Sequence, residues 1–311
     1  MNMNDSETTP EFVVVGHATR DVLPDGSWRL GGSVAYAGVT ASRLDLRVGV
    51  LTSAPPDVLS AVRDALPEAA IVNIATSEAT TFENIYDATG RRQFLRARAE
   101  PLTLDHLPPA WAEARIVLLA PLAQEVDPAF AQEFPRALVA AAPQGWLRRW
   151  DTSGAVSPGP LAVAPQLLPY VRALVLSRDD LLLPDADSEQ KEQADAIIAG
   201  WARQIPLVAV TRGAAGADLY ADGGPAQSFS GVTAREVDPT GAGDIFAAAF
   251  LCWLDRTDDP RAAMDFANHV AACSIERVGV ESAPTVAELI ARFPDANFAR
   301  TLAKDQSASS S

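Results

Sequence analysis

Apolar residues along the chain fall into short unbroken runs that alternate with longer stretches of helical spacing. Phe12-Val13-Val14-Val15-Gly16 is continuous and ends on glycine, the pattern of a strand buried on both faces. Residues 33–44 are small and apolar and predict a helix, residues 46–51 a second strand, and residues 55–66 a second helix. Further strands are expected at 70–74, 115–120, 171–177 and 206–211, with helices at 127–134 and 188–204 between them. Strands that alternate with helices predict an α/β fold, a mostly parallel sheet covered on both faces.

Two segments break the rhythm. Residues 80–98 alternate polar and apolar positions around Asp87-Ala88-Thr89-Gly90, which predicts a hairpin. Residues 26–30 predict a short isolated strand. Together they are expected to form a small projecting sheet, a lid formed by about residues 17–32 and 78–100, the alternative being an edge extension of the main sheet. After Gly243 the pattern turns helical, at 244–255, 261–277 and 285–291, and the long apolar helices would wall off one side of a site. Residues 301–311 are expected to be a disordered tail.

The chain has 311 residues, 48% of them hydrophobic, enough for one large α/β domain spanning about residues 11–300. Its 25 basic and 40 acidic residues give a net charge of −15, a poor match for nucleic acid or an anionic membrane. No stretch reaches the roughly 18 apolar residues of a membrane span, and Met1–Pro10 is polar and acidic, unlike a signal peptide. The two cysteines, Cys252 and Cys273, lie in apolar helical stretches and are expected to be core residues of a cytoplasmic protein.

The most informative run is Asp238-Pro239-Thr240-Gly241-Ala242-Gly243-Asp244, which leads straight into an apolar helix. Small residues at a loop-to-helix junction let backbone N–H groups converge, and the helix dipole adds partial positive charge. The loop from Gly241 through Ala242 and Gly243 to Asp244 therefore predicts an anion hole for a phosphate, lined by the N–H groups of Ala242, Gly243 and Asp244. Asp244, in the first turn, suits a general base that takes the proton from an attacking hydroxyl, its plain structural alternative being a helix cap.

That run, followed by Phe246, resembles the C-terminal signature of the ribokinase, or PfkB, carbohydrate kinase family. Gly31-Gly32 resembles the family's N-terminal glycine pair, and Asp21 its acid that binds sugar hydroxyls. Thr211-Arg212-Gly213-Ala214-Ala215-Gly216 resembles the strand-turn beside the nucleotide, and Ala267-Asn268 with Arg277-Val278-Gly279 the pattern near the adenine. The resemblance spans about residues 11–295. It implies a three-layer α/β/α sandwich with a small β lid, transfer of the ATP γ-phosphate to an alcohol, Mg²⁺, and in many relatives a monovalent cation such as K⁺. Gln144-Gly145-Trp146-Leu147-Arg148, Pro121-Leu122-Ala123-Gln124-Glu125 and Gly16-His17 with Asp21-Val22-Leu23 are similar to a divergent branch that includes plant inositol kinases.

The resemblance assigns roles position by position. Asp21, Gly31 and Gly32 would bind the acceptor, with His17, Arg148 and Glu125 as further contacts; a turn cap, an ion pair and a helix-start acid are the plain readings of Asp21, Arg148 and Glu125. Thr211, Gly213, Gly216, Asn268 and Gly279 would line the nucleotide. Asp180 would hold Mg²⁺ through water, and Asp238 would help hold the monovalent cation. Two departures stand out. Ser177 replaces the family's asparagine in Asn-x-x-Glu, where Asp180 stands for the glutamate. Ser33 and Tyr36 replace the lysine and asparagine of ribokinases proper, which speaks against ribose. The expected activity is a sugar or polyol kinase, with an inositol-like cyclitol as the subgroup and a homodimer through the lid. A nucleoside kinase, with Phe82, Tyr86 and Phe94 stacking on a base, and a catalytically inactive sugar-binding regulator are the alternatives. Lid arginines Arg96 and Arg98 are further candidate contacts, whereas His106 and His269 are expected to be structural.

Overall fold

The computed structural model describes residues 9–87 and 90–309. Nine strands form the main sheet: β1 (Phe12–Val15), β4 (Val48–Ala54), β5 (Ala70–Ala75), β8 (Ile116–Leu119), β9 (Leu138–Ala141), β12 (Ala173–Ser177), β13 (Leu207–Thr211), β14 (Ala217–Ala221) and β15 (Gln227–Phe229). Their order is β15-β14-β13-β12-β9-β8-β1-β4-β5, parallel from β13 to β5 and antiparallel at the β14 and β15 edge. Strand β1 pairs in register with β4 on one side and β8 on the other. The chain leaves β1 for β4 and β5 and later returns to β8. The order thus reverses beside β1, and a crevice opens there outside the carboxyl ends of the strands.

The sheet separates two cores because side chains alternate across it. Phe12 and Val14 join one, Val13 and Val15 the other. The first core is closed by helices α1 (Ser33–Arg43), α2 (Pro56–Ala65), α6 (Ala242–Thr257), α7 (Pro260–Ser274), α8 (Val286–Arg292) and α9 (Asn297–Ser309). The second lies under α5 (Ser188–Ala202), the short helices α3 (Gln144–Leu147) and α4 (Ala164–Leu167), and Trp111, Phe130 and Phe134. This is the three-layer sandwich expected from the alternating pattern.

A separate four-stranded sheet, in the order β3-β2-β6-β7, joins β2 (Thr19–Val22), β3 (Trp28–Gly31), β6 (Thr80–Asp87) and β7 (Gly90–Ala97). Strands β6 and β7 form the expected hairpin, although Ala88-Thr89 at its tip and the Tyr86 side chain lie outside the described residues. A β2–β6 parallel pairing brings the 19–22 segment into the same sheet. Strands β10 (Arg148–Trp150) and β11 (Val156–Pro158) form a small ribbon beside it.

Three expectations change. Residues 127–134 form only a 3₁₀ turn, Pro128–Gln132, capped by the Asp127 carboxylate. Residues 138–141, which carry no period distinguishing strand from helix, are the central strand β9. The tail expected beyond residue 300 continues α9 through residue 309, because Phe298, Ala299 and Leu302 share one buried face. Phe298 meets Trp253 and Phe266 edge-on, and those two rings stack at 4.3 Å between centroids. Leu302→Ala should therefore destabilise the fold by about 2–3 kcal/mol, measured by urea denaturation; a disordered tail would leave the transition midpoint unmoved.

Candidate active site

The site residues sit where parallel strands end. The segment after β1 carries His17 and Asp21, the loop after β8 carries Glu125, the end of β9 leads to Gln144 and Arg148, β12 ends at Ser177, and β13 ends at Thr211. Against this rim stand the N-termini of α1 and α6.

Helix α6 begins with Gly241 in the left-handed region at φ 78°, a conformation that glycine adopts without steric cost. A Cβ there would also collide with the Tyr36 ring. Gly32, at φ 95°, caps α1 and passes so close to the His17 carbonyl that it too has no room for a side chain. The two glycines bring both helix starts together, and Ser33 of α1 hydrogen-bonds the Asp244 carboxylate of α6. Of the three expected anion-hole amides, that of Ala242 donates to Pro239 O at 3.2 Å. Those of Gly243 and Asp244 are at the helix start, where no intrahelical carbonyl precedes them.

Burial pushes the Asp244 carboxyl up to about 6. The Ser33 hydrogen bond and the Arg148 guanidinium oppose that rise, whereas Asp180 and Asp21 add to it. Asp180 is also raised by burial, against the pull of the Gln144 amide, Ser177 N–H and Arg148. Its two oxygens accept from Gln144 Nε2 at 2.8 Å and from Ser177 N–H at 2.9 Å. Asp21 accepts from the Thr19 hydroxyl at 3.1 Å, and its carboxylate lies over Gly31, where any side chain would displace it. Asp21, Asp180 and Arg148 thus all lie near enough to Asp244 to act on its charge.

Arg148 is held from two sides. Its Nη1 donates to Leu122 O at 3.0 Å, and its guanidinium carbon stands 4.9 Å from the Phe82 ring centroid. The Leu122 carbonyl is itself fixed by Glu125. That carboxylate, 1% exposed, accepts the N–H groups of Leu122 at 2.9 Å, Ala123 at 2.6 Å and His17 at 3.0 Å. Glu125 therefore binds backbone rather than an acceptor hydroxyl, correcting the sequence expectation. His17 is corrected in the same way. It is fully buried; Nε2 donates to Glu100 O at 2.8 Å, and Nδ1 meets the Thr80 hydroxyl at 2.6 Å. Both residues tie the crevice walls together.

Asp238 also departs from its expected part. Its Oδ2 pairs with Arg29 of β3 at 2.8 Å, and Oδ1 accepts Thr240 N–H at 3.0 Å. Burial alone would raise the Asp238 carboxyl, but the Thr240 hydrogen bonds and the Arg29 guanidinium outweigh it and hold the group below its ordinary value. Its charge is already met by a guanidinium, so a monovalent cation has no open carboxylate there. Among the described residues no three acidic, histidine or cysteine side chains form a metal-binding group. Asp180, whose partners are a neutral amide and a backbone N–H rather than a guanidinium, keeps its charge for a cation and fits Mg²⁺, which takes one or two carboxylates and completes its shell with phosphates and water.

The expected nucleotide residues lie along the sheet from this centre. Thr211 ends β13 with its hydroxyl toward Leu176 O at 3.4 Å. Gly213, at φ 54°, faces open space, whereas Gly216, at φ 96°, abuts the backbone of Phe229 and Gly231. The Asn268 amide reaches Ser230 O at 3.4 Å from α7. Gly279 stands apart from these, beside the Arg29 side chain. Ser33 and Tyr36, which the resemblance marked as replacements at acceptor positions, and Gln144, quoted there only within a motif, join the group around Asp244, whereas sequence reasoning gave no role to Arg29. The first two follow Gly31-Gly32 at positions three apart, a spacing that puts them on one helix face.

Sheet order, lid sheet and the site at the strand ends define a ribokinase-like fold. A pyrophosphate-dependent kinase of the ribokinase family, solved with a pyrophosphate analogue and myo-inositol, superposes with a TM-score of 0.72 at 22% identity, covering 87% of this chain and 98% of that one. Ribokinase from Arabidopsis thaliana, solved with ribose and ATP, gives 0.67 at 20% identity over 91% and 98%. Residues 151–286 match the family described as pfkB family carbohydrate kinase. Among curated proteins it is similar to the ATP-dependent ribose-1-phosphate kinase of Halopiger xanaduensis, 39% identical over 93 residues, 30% of each chain. It is also similar to the inositol 3-kinase of Zea mays, 35% identical over 143 residues, 44% of this chain and 33% of the relative. The matched segments thus span about a third of the curated relatives' length.

Glu125→Ala leaves three buried N–H groups without an acceptor and should destabilise the fold by about 3 kcal/mol or more. Urea denaturation checks this; an unchanged midpoint with a raised acceptor KM would return Glu125 to substrate binding.

Proposed function

We propose that the chain transfers the γ-phosphate of ATP to a hydroxyl of a sugar or polyol, an inositol-like cyclitol being the favoured acceptor. The observation that carries this reading is Asp244. It stands in the first turn of α6 beside Gly241 and Gly243, half-buried, with its carboxyl pushed up to about 6. A base of that strength is ionised at neutral pH yet binds a proton more readily than a free aspartate. Asp244 takes the proton of the attacking hydroxyl, Asp21 orients the acceptor, and the amides at the start of α6 receive the oxygens of the transferring phosphoryl group. Arg148 adds fixed positive charge beside Asp244 and Asp180. Phosphoryl transfer asks for this combination of position and charge. Asp180 is the residue to hold Mg²⁺, which would neutralise charge on the donor phosphates.

ATP is favoured over pyrophosphate by an apolar surface. Val237 and Val278 are exposed at 53% and 57%, on segments joined by the hydrogen bond from Val237 N–H to Ile275 O at 2.7 Å. A nucleoside base would cover such a surface; pyrophosphate has nothing to cover it with. The nucleoside-kinase alternative is weakened by arginines already seated on the lid aromatics, Arg148 on Phe82 and Arg96 on Phe94 at 4.4 Å. The inactive-regulator alternative is weakened by the intact glycine turn and the tuned Asp244. A cytoplasmic setting suits the two free cysteines. The unpaired edge of β3 gives the proposed lid homodimer a place to form, to be read by sedimentation.

Asp244→Asn should lower kcat by about 10²–10⁴-fold. The raised carboxyl favours the fold when protonated, and that contribution fades as pH rises through about 6. The variant should therefore unfold at neutral pH no earlier than wild type. In wild type, kcat/KM should fall below about pH 6 as Asp244 takes up a proton. Assays with ATP or pyrophosphate against myo-inositol, ribose, ribose 1-phosphate and nucleosides test the rest. Turnover with ATP and a polyol is expected; near-normal turnover by the asparagine variant would refute Asp244 as base.

A further inference from the structure

Two runs singled out in the sequence, Pro121-Leu122-Ala123-Gln124-Glu125 and Gln144-Gly145-Trp146-Leu147-Arg148, fold into one physical unit. Gly145 N–H donates to Pro121 O at 2.9 Å, and a Cβ on Gly145 would collide with the backbone of Pro121 and Leu122. Trp146 Nε1 donates to Val126 O at 3.0 Å, one residue past the first run. Arg148 is then held at both ends. Its Nη1 donates to Leu122 O at 3.0 Å, and its own carbonyl accepts Gln124 Nε2 at 2.7 Å. Arg149 Nη1 donates to the same carbonyl at 2.7 Å. Arg149 moves with Arg148, so of these two donors it is Gln124 that ties the carbonyl to the loop after β8.

Gln124 makes this bond from a disfavoured backbone. Its φ is 59°, in the left-handed region that glycine adopts freely and a long side chain rarely does. Such an angle costs free energy and persists chiefly near functional sites. The residue is exposed, so burial gives no reason for a glutamine there. The bond to Arg148 does. Arg148 also begins the β10–β11 ribbon, whose turn residue Gly154 accepts Leu95 N–H of β7 at 2.9 Å. The ribbon is thus pinned to the lid sheet at its turn and to the main-sheet loop at Arg148.

We propose that Gln124 is a positioning residue: its amide anchors the Arg148 backbone to the loop after β8, so that the guanidinium keeps one place beside the transferring phosphoryl group. This rests on the kinase reading above, in which Arg148 supplies fixed positive charge. A guanidinium on a long side chain delivers its charge at one point only if its backbone is held. Gln124 acts through Arg148 and not on the reacting atoms.

Two variants remove the amide with opposite effects on the backbone. Gln124→Gly relaxes the left-handed angle, whereas Gln124→Met keeps both the side-chain length and the strain. With the best acceptor of the panel, both should lower kcat by about tenfold and leave the acceptor KM within about twofold of wild type. The glycine variant should melt no lower than the methionine variant. A role in the local fold alone would separate the two activities, with glycine near wild type and methionine below it. Near-wild-type kcat in either variant overturns the proposal. Crystal structures of wild type and both variants supply a second readout. The guanidinium should lie on Leu122 O and over Phe82 in wild type and be displaced in both variants; the same place in all three overturns the proposal. If wild type phosphorylates no acceptor, the kinase reading fails separately, and these structures alone decide whether Gln124 anchors Arg148.

Discussion

The contact on which the site depends is the packing of the Tyr36 ring against Gly241. It lets two helix N-termini meet at one point, because neither backbone carries a side chain there. The partial positive charges of α1 and α6 add in that space. The carboxylate of Asp244 is held among them by Ser33 and opposed by Asp21 and Asp180. Any side chain at position 241 would drive the helices apart and force a disfavoured backbone angle at φ 78°. One hydrogen atom in place of a methyl group sets how closely the starts of α1 and α6 approach.

Around that contact runs a frame of buried polar groups. Glu125 gathers three backbone N–H groups from the loop after β8 and the segment after β1, the two strands between which the sheet order reverses. His17 extends the frame to Thr80 and Glu100, next to the lid strands. The Leu122 carbonyl, fixed by this loop, holds Arg148 over Phe82 and against the cleft acids. Arg29 joins the lid sheet to the glycine turn through Asp238. The charges of Arg148 and Asp238 are therefore positioned by neighbouring backbone and side chains of the fold. An unsatisfied buried partner in such a frame costs more than the bond itself contributes.

The comparisons and the geometry agree at different depths. Similarity to solved kinases at 20–22% identity carries the fold, and the pfkB match covers the segment that contains the glycine turn. Relatives differ in donor, ATP or pyrophosphate, and in acceptor, a cyclitol, ribose or a ribose phosphate. Within one fold those choices are decided by a few side chains rather than by overall likeness.

By itself the sequence determined the layered architecture, the glycine turn and its aspartate. Apolar runs and small residues are local signals, and Asp238-Pro239-Thr240-Gly241-Ala242-Gly243-Asp244 is written contiguously. It also singled out Asp21 and Arg148, which the fold brings near enough to Asp244 to act on its charge. It could not separate His17 and Glu125, whose side chains turn inward, from true cleft residues, because burial and partners 83 and 108 residues away are invisible to spacing. Strand β9 and helix α9 were missed for a related reason: short apolar segments take their form from what they pack against. The pairing of Asp238 with Arg29, and the hold of Gln124 on Arg148, were decided only in three dimensions, where distant charges meet at low dielectric and each unmade bond has a cost.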